Sequence, residues 1–297
     1  MIKPILQLLM GAIAIGMAPI FAKLAITHGG MGAVATGFWR MFVGAIGFLF
    51  IIAMSPNQKS SGQSVIRLLK NSKMLVLTAG LMFALDLISW HTSFNYTSLA
   101  SSTLIANFSS VLVPLSGVLF FKEVFKRRLA IGGLIAMVGV VGLTLSKQTN
   151  GRDSSHDSLL LGEGLAFATA FFYTGYMLSI KKLAGQYSSR TLMFVSSATS
   201  AILLFVFSLL MDQQILPTND SGWIWILGLG LISQVMGQGL IAKALALMPV
   251  GQSALLLLFA PVSTAVFSWL FIGEALPEGQ FVSVMITLIG IAIVARR

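Results

Sequence analysis

Cysteine is absent from the 297 residues, which excludes disulfides, thiolate nucleophiles and cysteine-based metal sites. Charge is scarce: 9% of residues are Asp, Glu, Lys or Arg, against roughly 25% in a soluble domain. Acids are scarcest, nine against 19 basic residues, and the only histidines, His28, His91 and His156, are too scattered for a metal cluster. No cofactor and no metal are expected. Hydrophobic residues make up 56% of the chain, in runs of about 20, the length that crosses a bilayer core. The runs are continuously apolar, which excludes the alternating pattern of a membrane β-barrel. The expected fold is an all-α integral membrane protein. Its start, with Lys3 before an apolar run, has the outline of a secretory signal. That run is long, lacks a small-x-small cleavage site and is followed by another, so it is read as the first helix.

Ten transmembrane helices are expected, at about 4–27, 31–54, 74–95, 99–121, 129–146, 159–182, 190–211, 222–246, 250–272 and 278–296. A net charge of +10 would suit a nucleic-acid partner if the charge were clustered, but it sits in the connections between spans. With the N-terminus in the cytoplasm, the inside segments hold Lys3, Lys59, Arg67, Lys70, Lys73, Lys122, Lys126, Arg127, Arg128, Lys181, Lys182, Arg190, Lys243, Arg296 and Arg297. Only Lys23, Lys147 and Arg152 fall outside, and Arg40 lies within span 2. That bias places both termini in the cytoplasm, and the expected location is a bacterial inner (cell) membrane. Partners are then a small solute and membrane lipid, not nucleic acid.

The polar connection at 147–158 divides the chain into halves, 1–146 and 159–297, and the halves repeat. Leu99-Ala100-Ser101-Ser102-Thr103-Leu104 matches Val250-Gly251-Gln252-Ser253-Ala254-Leu255 at an offset of 151. The same offset pairs Phe120-Phe121-Lys122-Glu123 with Phe271-Ile272-Gly273-Glu274, and Gly139 with Gly290. Lys23-Leu24-Ala25 matches Lys182-Leu183-Ala184 at 159, the difference being taken up by the longer loop between spans 2 and 3. Five spans is an odd number, so the second half enters the membrane upside down. Two inverted five-helix repeats are the sequence mark of secondary transporters, whose site lies between the halves near the midplane.

Phe38-Trp39-Arg40 in span 2, Thr97-Ser98-x-Ala100 opening span 4 and Phe-x-x-Glu closing spans 4 and 9 resemble the EamA domain. Duplicated, that domain builds the ten-helix members of the drug/metabolite transporter superfamily, and the resemblance covers almost the whole chain. Asp86-Leu87-x-x-Trp90-His91-x-Ser93, followed by Thr103-Leu104-x-x-Asn107, resembles a subset of that family. One departure is visible: Pro261 occupies its usual place in span 9, but the offset puts Ser110 there in span 4, with Pro114 one turn later. The resemblance implies export of amino acids or related metabolites, with drugs as a further class, by a monomer or homodimer. Uptake and uncoupled facilitated diffusion remain open alternatives.

Asp86 is the one acid far from both ends of any span, where no water solvates a charge. Arg40, Asp86 and Asn107 come to a similar depth on three consecutive spans, and Arg40 could meet Asp86 directly. Such a pair is either a static tie between helices or a site for solute or protons. Ser89, Trp90 and Ser93 follow Asp86 at spacings of three, four and seven on one helix face, while His91 points about 140° away. His91 is a packing residue or a pH-sensitive one; Trp90 stacks on a solute or anchors the helix at the interface. In the second half, Thr169, Tyr173 and Tyr176 share a face of span 6, and span 8 offers Ser233, Gln234 and Gln238. These neutral groups suit a zwitterionic or polar solute, and for the two glutamines bonding between helices is an equal alternative. The glycines of spans 2 and 8 are read as packing contacts. Pro19, Pro114 and Pro261 are expected to kink or hinge helices 1, 4 and 9. Glu123 and Glu274, at helix ends, are read as structural. An intramembrane enzyme is disfavoured, since no Gly-x-Ser-Gly or Gly-x-Gly-Asp motif accompanies His91. A channel would need rings of charge or carbonyls.

Overall fold

The computed structural model describes residues 2–55, 58–97, 99–124, 126–145, 156–272 and 278–296, and every regular element among them is a helix. Span 1 consists of α1 (Ile2–Gly16) and α2 (Ala18–Thr27), span 2 of α3 (Ala33–Ala53). A short helix, α4 (Gln58–Asn71), precedes span 3, α5 (Lys73–Ser93). Span 4 joins α6 (Leu99–Ala106) to α7 (Ser109–Phe121), and span 5 is α8 (Arg127–Leu145). In the second half, α9 (His156–Leu183) and α10 (Ser189–Leu210) form spans 6 and 7. Span 8 runs from α11 (Asp220–Gly228) through a π-helical stretch, Leu229–Gln238, into α12 (Gly239–Leu245). Span 9 is α13 (Val250–Leu256) with α14 (Phe259–Ile272), and span 10 is α15 (Glu278–Ala295). Eight of these segments are long and apolar enough to cross a membrane. With α8 and α9 they make ten, α9 being less apolar because it carries Glu163, Thr169, Tyr173, Thr174 and Tyr176. Most of the polar connection at 147–158, and Glu274, lie outside the described residues.

The connection between spans 2 and 3 differs from expectation: it holds α4 rather than a loop. Val65 and Leu68 turn inward, Leu68 fully buried, while Ile66, Arg67 and Lys70 are exposed. An apolar stripe that narrow makes a surface helix rather than a membrane crossing.

The packing repeats as the sequence does. α3 lies along α10, α7 against α13 and α8 along α15, each span against its counterpart in the other half. α5 packs on α9, and the equivalent contact is made by α1 and α2 against span 8. Exchanging the halves maps these contacts onto one another, as a pseudo-two-fold axis requires. Gly139 and Gly290, paired by the offset of 151, show why small residues recur there. A β-carbon on Gly290 would strike the α8 backbone at Ala136, and one on Gly139 would strike α15 at Thr287. Removing side chains at both places lets α8 and α15 approach closely.

Candidate functional site

Four of the ten spans are interrupted at one level. Span 1 breaks at Met17, with Pro19 in the first turn of α2. Span 4 breaks between Ala106 and Ser109, span 9 between Leu256 and Phe259, and the two breaks coincide within one residue at the offset of 151. Span 8 leaves the α-helical hydrogen-bond pattern over the ten residues Leu229–Gln238. π-helical runs are rare and cluster at functional sites, and broken helices in a membrane occur where backbone lines a cavity. Hydroxyl groups cover carbonyls that the breaks release: Thr264 Oγ1 donates to the Gly16 carbonyl at 2.7 Å and Ser233 Oγ to Ala14 at 3.2 Å. Asn107 Nδ2 adds a bond of 2.7 Å to the Thr103 carbonyl, which also accepts the Asn107 N–H at 3.0 Å.

The interruptions surround a cavity of about 130 Å³. The first half lines it with Pro19, Arg40, Phe83, Asp86, Trp90, Asn107 and Ser110, the second with Thr169, Tyr173, Gln238 and Pro261. Arg40 is braced. Its Nε donates to Gln234 Oε1 at 3.2 Å, and Gln234 Nε2 donates to Ser197 Oγ at 3.2 Å. The guanidinium carbon stands 5.5 Å from the centroid of the Phe83 ring, which stacks on Tyr176 at 4.3 Å. Asp86 is 5% exposed, and its backbone carbonyl receives Thr169 Oγ1 at 3.4 Å. Its carboxylate has no hydrogen-bond or ion-pair partner among the described residues, and no Arg40 nitrogen comes within 4.0 Å of it. The direct contact that their shared depth allows is not made: the acid and the base share one cavity without closing on each other. Three more polar atoms of cavity-lining residues are buried without a partner among the described residues: Trp90 Nε1, Ser110 Oγ and Gln238 Oε1. The Gln238 amide adjoins the Tyr173 hydroxyl. No group of three or more acidic or histidine side chains suited to a metal occurs among the described residues.

Residues 2–145 and 160–296 each match the EamA-like transporter family. The chain belongs to that family. An "uncharacterized transporter" of Methanothermobacter thermautotrophicus is 27% identical over 305 aligned positions, covering 96% of this EamA protein and 86% of that one. A protein of known crystal structure superposes with a TM-score of 0.83 over 98% of this chain and 96% of its own. Its 13% identity makes that a likeness of fold. The protein is thus a membrane transporter and not an enzyme.

Within the EamA fold, the residues singled out from sequence separate into three groups. Asp86, Arg40, Trp90, Asn107, Tyr173 and Gln238 line the cavity, as do Pro19 and Pro261. A second group supports these from behind. Gln234 holds Arg40, and Tyr176 backs Phe83 while its hydroxyl donates to Met193 Sδ at 3.5 Å. The third group points elsewhere. Ser89 is buried off the cavity wall, and Ser93 Oγ bonds Ser102 Oγ at 2.5 Å. His91 is fully buried, with Nδ1 3.1 Å from the Ala33 carbonyl, so it ties span 3 to the start of span 2. Of the residues three, four and seven positions from Asp86, Trp90 borders the cavity, whereas Ser89 and Ser93 do not. Pro114 lies inside α7 against Gly251, and the break in its span falls before it, at Asn107–Phe108. At that break Asn107 turns its side-chain amide onto the Thr103 carbonyl, beside its own N–H. Thr103, Ser110 and Thr264 also border the cavity and were passed over. Ser110 had a signal: it stands where the repeat has Pro261, and both positions line the cavity.

Proposed function

We propose that this EamA protein is a secondary carrier that exports a small zwitterionic metabolite, an amino acid or a close relative, by alternating access. The observation that carries the reading is the opposed acid and base in one cavity, neither satisfied by the other. Arg40 presents guanidinium donors suited to a carboxylate, and Asp86 presents acceptors suited to an ammonium group. Each buried polar atom without a partner costs about 1–3 kcal/mol, so a polar solute reaching Trp90, Ser110 and Gln238 relieves a standing penalty. Size narrows the choice. A cavity of about 150 Å³ holds benzene, roughly six non-hydrogen atoms, so 130 Å³ suits a small metabolite rather than a bulky drug. Export comes from the family resemblance, and if transport is coupled to protons, Asp86 is the candidate carrier. The distribution of Lys and Arg supports a cell membrane with cytoplasmic termini, and the repeats 1–146 and 159–297 act as the two halves that rock.

Counterflow in proteoliposomes tests the reading. Radiolabelled amino acid should accumulate against unlabelled amino acid trapped inside, saturably and with competition only from small zwitterions. Flux that does not saturate would mark a channel, and counterflow by bulky hydrophobic cations in place of amino acids would refute the solute class.

A further inference from the structure

We propose that Glu123 and Lys181 are gating residues, a latch that seals the cavity on the face carrying both termini. The proposal rests on the carrier reading above but not on the identity of its solute. Glu123 stands just past α7, after Lys122, whose backbone is left-handed with φ 52°. Lys122 occupies the position that the second repeat gives to Gly273, the residue suited to that conformation. The turn sends the Glu123 carboxylate back onto the start of α13, where Oε1 accepts from the Val250 N–H at 2.7 Å and Oε2 from the Gly251 N–H at 3.1 Å. It can reach them because the neighbouring positions are small. A β-carbon on Gly117 would lie 3.0 Å from Glu123 Oε2, and one on Gly251 3.1 Å from Pro114 Cα.

Lys181 completes the closure from another span. Its Nζ donates to the carbonyls of Leu245 and Met248, at 2.9 and 2.5 Å, and its charge is attracted by Glu123. One carboxylate and one ammonium therefore join the ends of α7, α9 and α12 to the start of α13. The cavity begins one helical turn away on two of these elements, at Met177 in α9 and Ala254 in α13. Leu245, Met248 and Val250 are buried beside the latch. The face is that of the termini: Gln252 Nε2 donates to the Val294 carbonyl at 3.0 Å, near the end of α15. Both charged groups cap helix ends that lack partners of their own. Separating α7 from α13, and α9 from the end of α12, therefore leaves bare backbone unless water replaces the two side chains, and water enters only as the cavity opens. Lys181 has no counterpart in the first half, where the offset of 159 puts Ala22, so this closure does not recur in full on the opposite face.

Cysteine labelling tests the latch directly, because the chain has no cysteine of its own. Leu257→Cys reports on the cavity wall and Leu204→Cys, fully buried in α10, on general loosening. Vesicles oriented with the face of the termini outward are treated with a membrane-impermeant maleimide. Adding Glu123→Gln or Lys181→Met should raise the rate at Leu257→Cys at least tenfold while Leu204→Cys stays protected, and Lys181→Arg should restore protection. Unchanged labelling at Leu257→Cys, or labelling that rises equally at Leu204→Cys, would overturn the proposal. No solute enters the assay, so its result is independent of counterflow: a failed solute panel with an intact labelling response would count against the solute class alone.

Discussion

Gln234→Met separates a brace from a contact. Methionine keeps the unbranched stem that fills the notch at Gly44, where any β-carbon would collide with Gln234, and removes only the amide. Two buried bonds go with it, Arg40 Nε to Oε1 and Nε2 to Ser197 Oγ. A hydrogen bond to a charged group is worth about 1.5–3 kcal/mol and a neutral one about 0.5–1.5 kcal/mol, so the folded state loses roughly 2–4.5 kcal/mol. Only the first bond bears on the solute. If Gln234 holds the guanidinium in place for a carboxylate, its loss leaves Arg40 to be ordered on binding, at about 0.5–1.5 kcal/mol, which weakens carboxylate binding by roughly 2- to 12-fold. The assay is counterflow inhibited by an amino acid or by its carboxamide, together with thermal melting in detergent. The expected result is a lower melting temperature and a loss confined to the carboxylate. Equal weakening of acid and amide, or no change in melting, would refute the bracing role.

Three further outcomes follow from the same cavity. Asp86→Asn should abolish or uncouple transport while the protein still inserts; normal flux with an unchanged pH profile would remove Asp86 from the site. Arg40→Ala should lose transport and lower the melting temperature, and Asp86→Asn should partly restore the melting temperature by removing the opposing charge left behind. At 4 Å and an effective dielectric of 20 the coupling is about 4 kcal/mol; since the charges stay further apart than that, a double-mutant cycle should return less, and zero would mean independent roles. Gly44→Ala should cost transport more than stability, because the methyl displaces Gln234. Overpacking costs about 1–3 kcal/mol, partly offset by alanine's helical preference of about 1 kcal/mol. A melting shift without loss of flux would contradict this.

Span number, the repeat and the half-by-half lining of the cavity were legible because they depend on patterns the bilayer imposes: long apolar runs, basic connections, and rare polar residues at depth. Asp86 and Arg40 stood out for the last reason. The detail was less legible. Asp86 and Arg40 lie at one depth, but whether they touch depends on Gln234, nearly two hundred positions along the chain, drawing Arg40 aside. The π-helical stretch has no period visible against its glycines, and α4 is too short and polar to register beside apolar runs. Glu123 was placed at a helix end, which is correct, yet its bonds to Val250 and Gly251 join segments that no local pattern connects.

The interruptions explain why the polar residues sit where they do. A continuous α-helix satisfies its own backbone and offers a solute only side chains. Breaking spans 1, 4 and 9 at one level and loosening span 8 beside them frees carbonyls that must be covered, and Thr264 and Ser233 cover two of them. Both coverings cross between halves: Thr264 reaches Gly16, and Ser233 reaches Ala14. The same hydroxyls that close the backbone in this arrangement are therefore the ones that must release it if the halves rock apart. Movement and binding consequently draw on one layer of the structure. A substitution such as Thr264→Val, at the cavity wall but with its hydroxyl bonded to backbone rather than to either charge, should then slow exchange while leaving solute affinity within about twofold. The measurement is the counterflow rate against the half-saturating concentration, and an affinity loss without a rate change would separate the two functions and refute the argument.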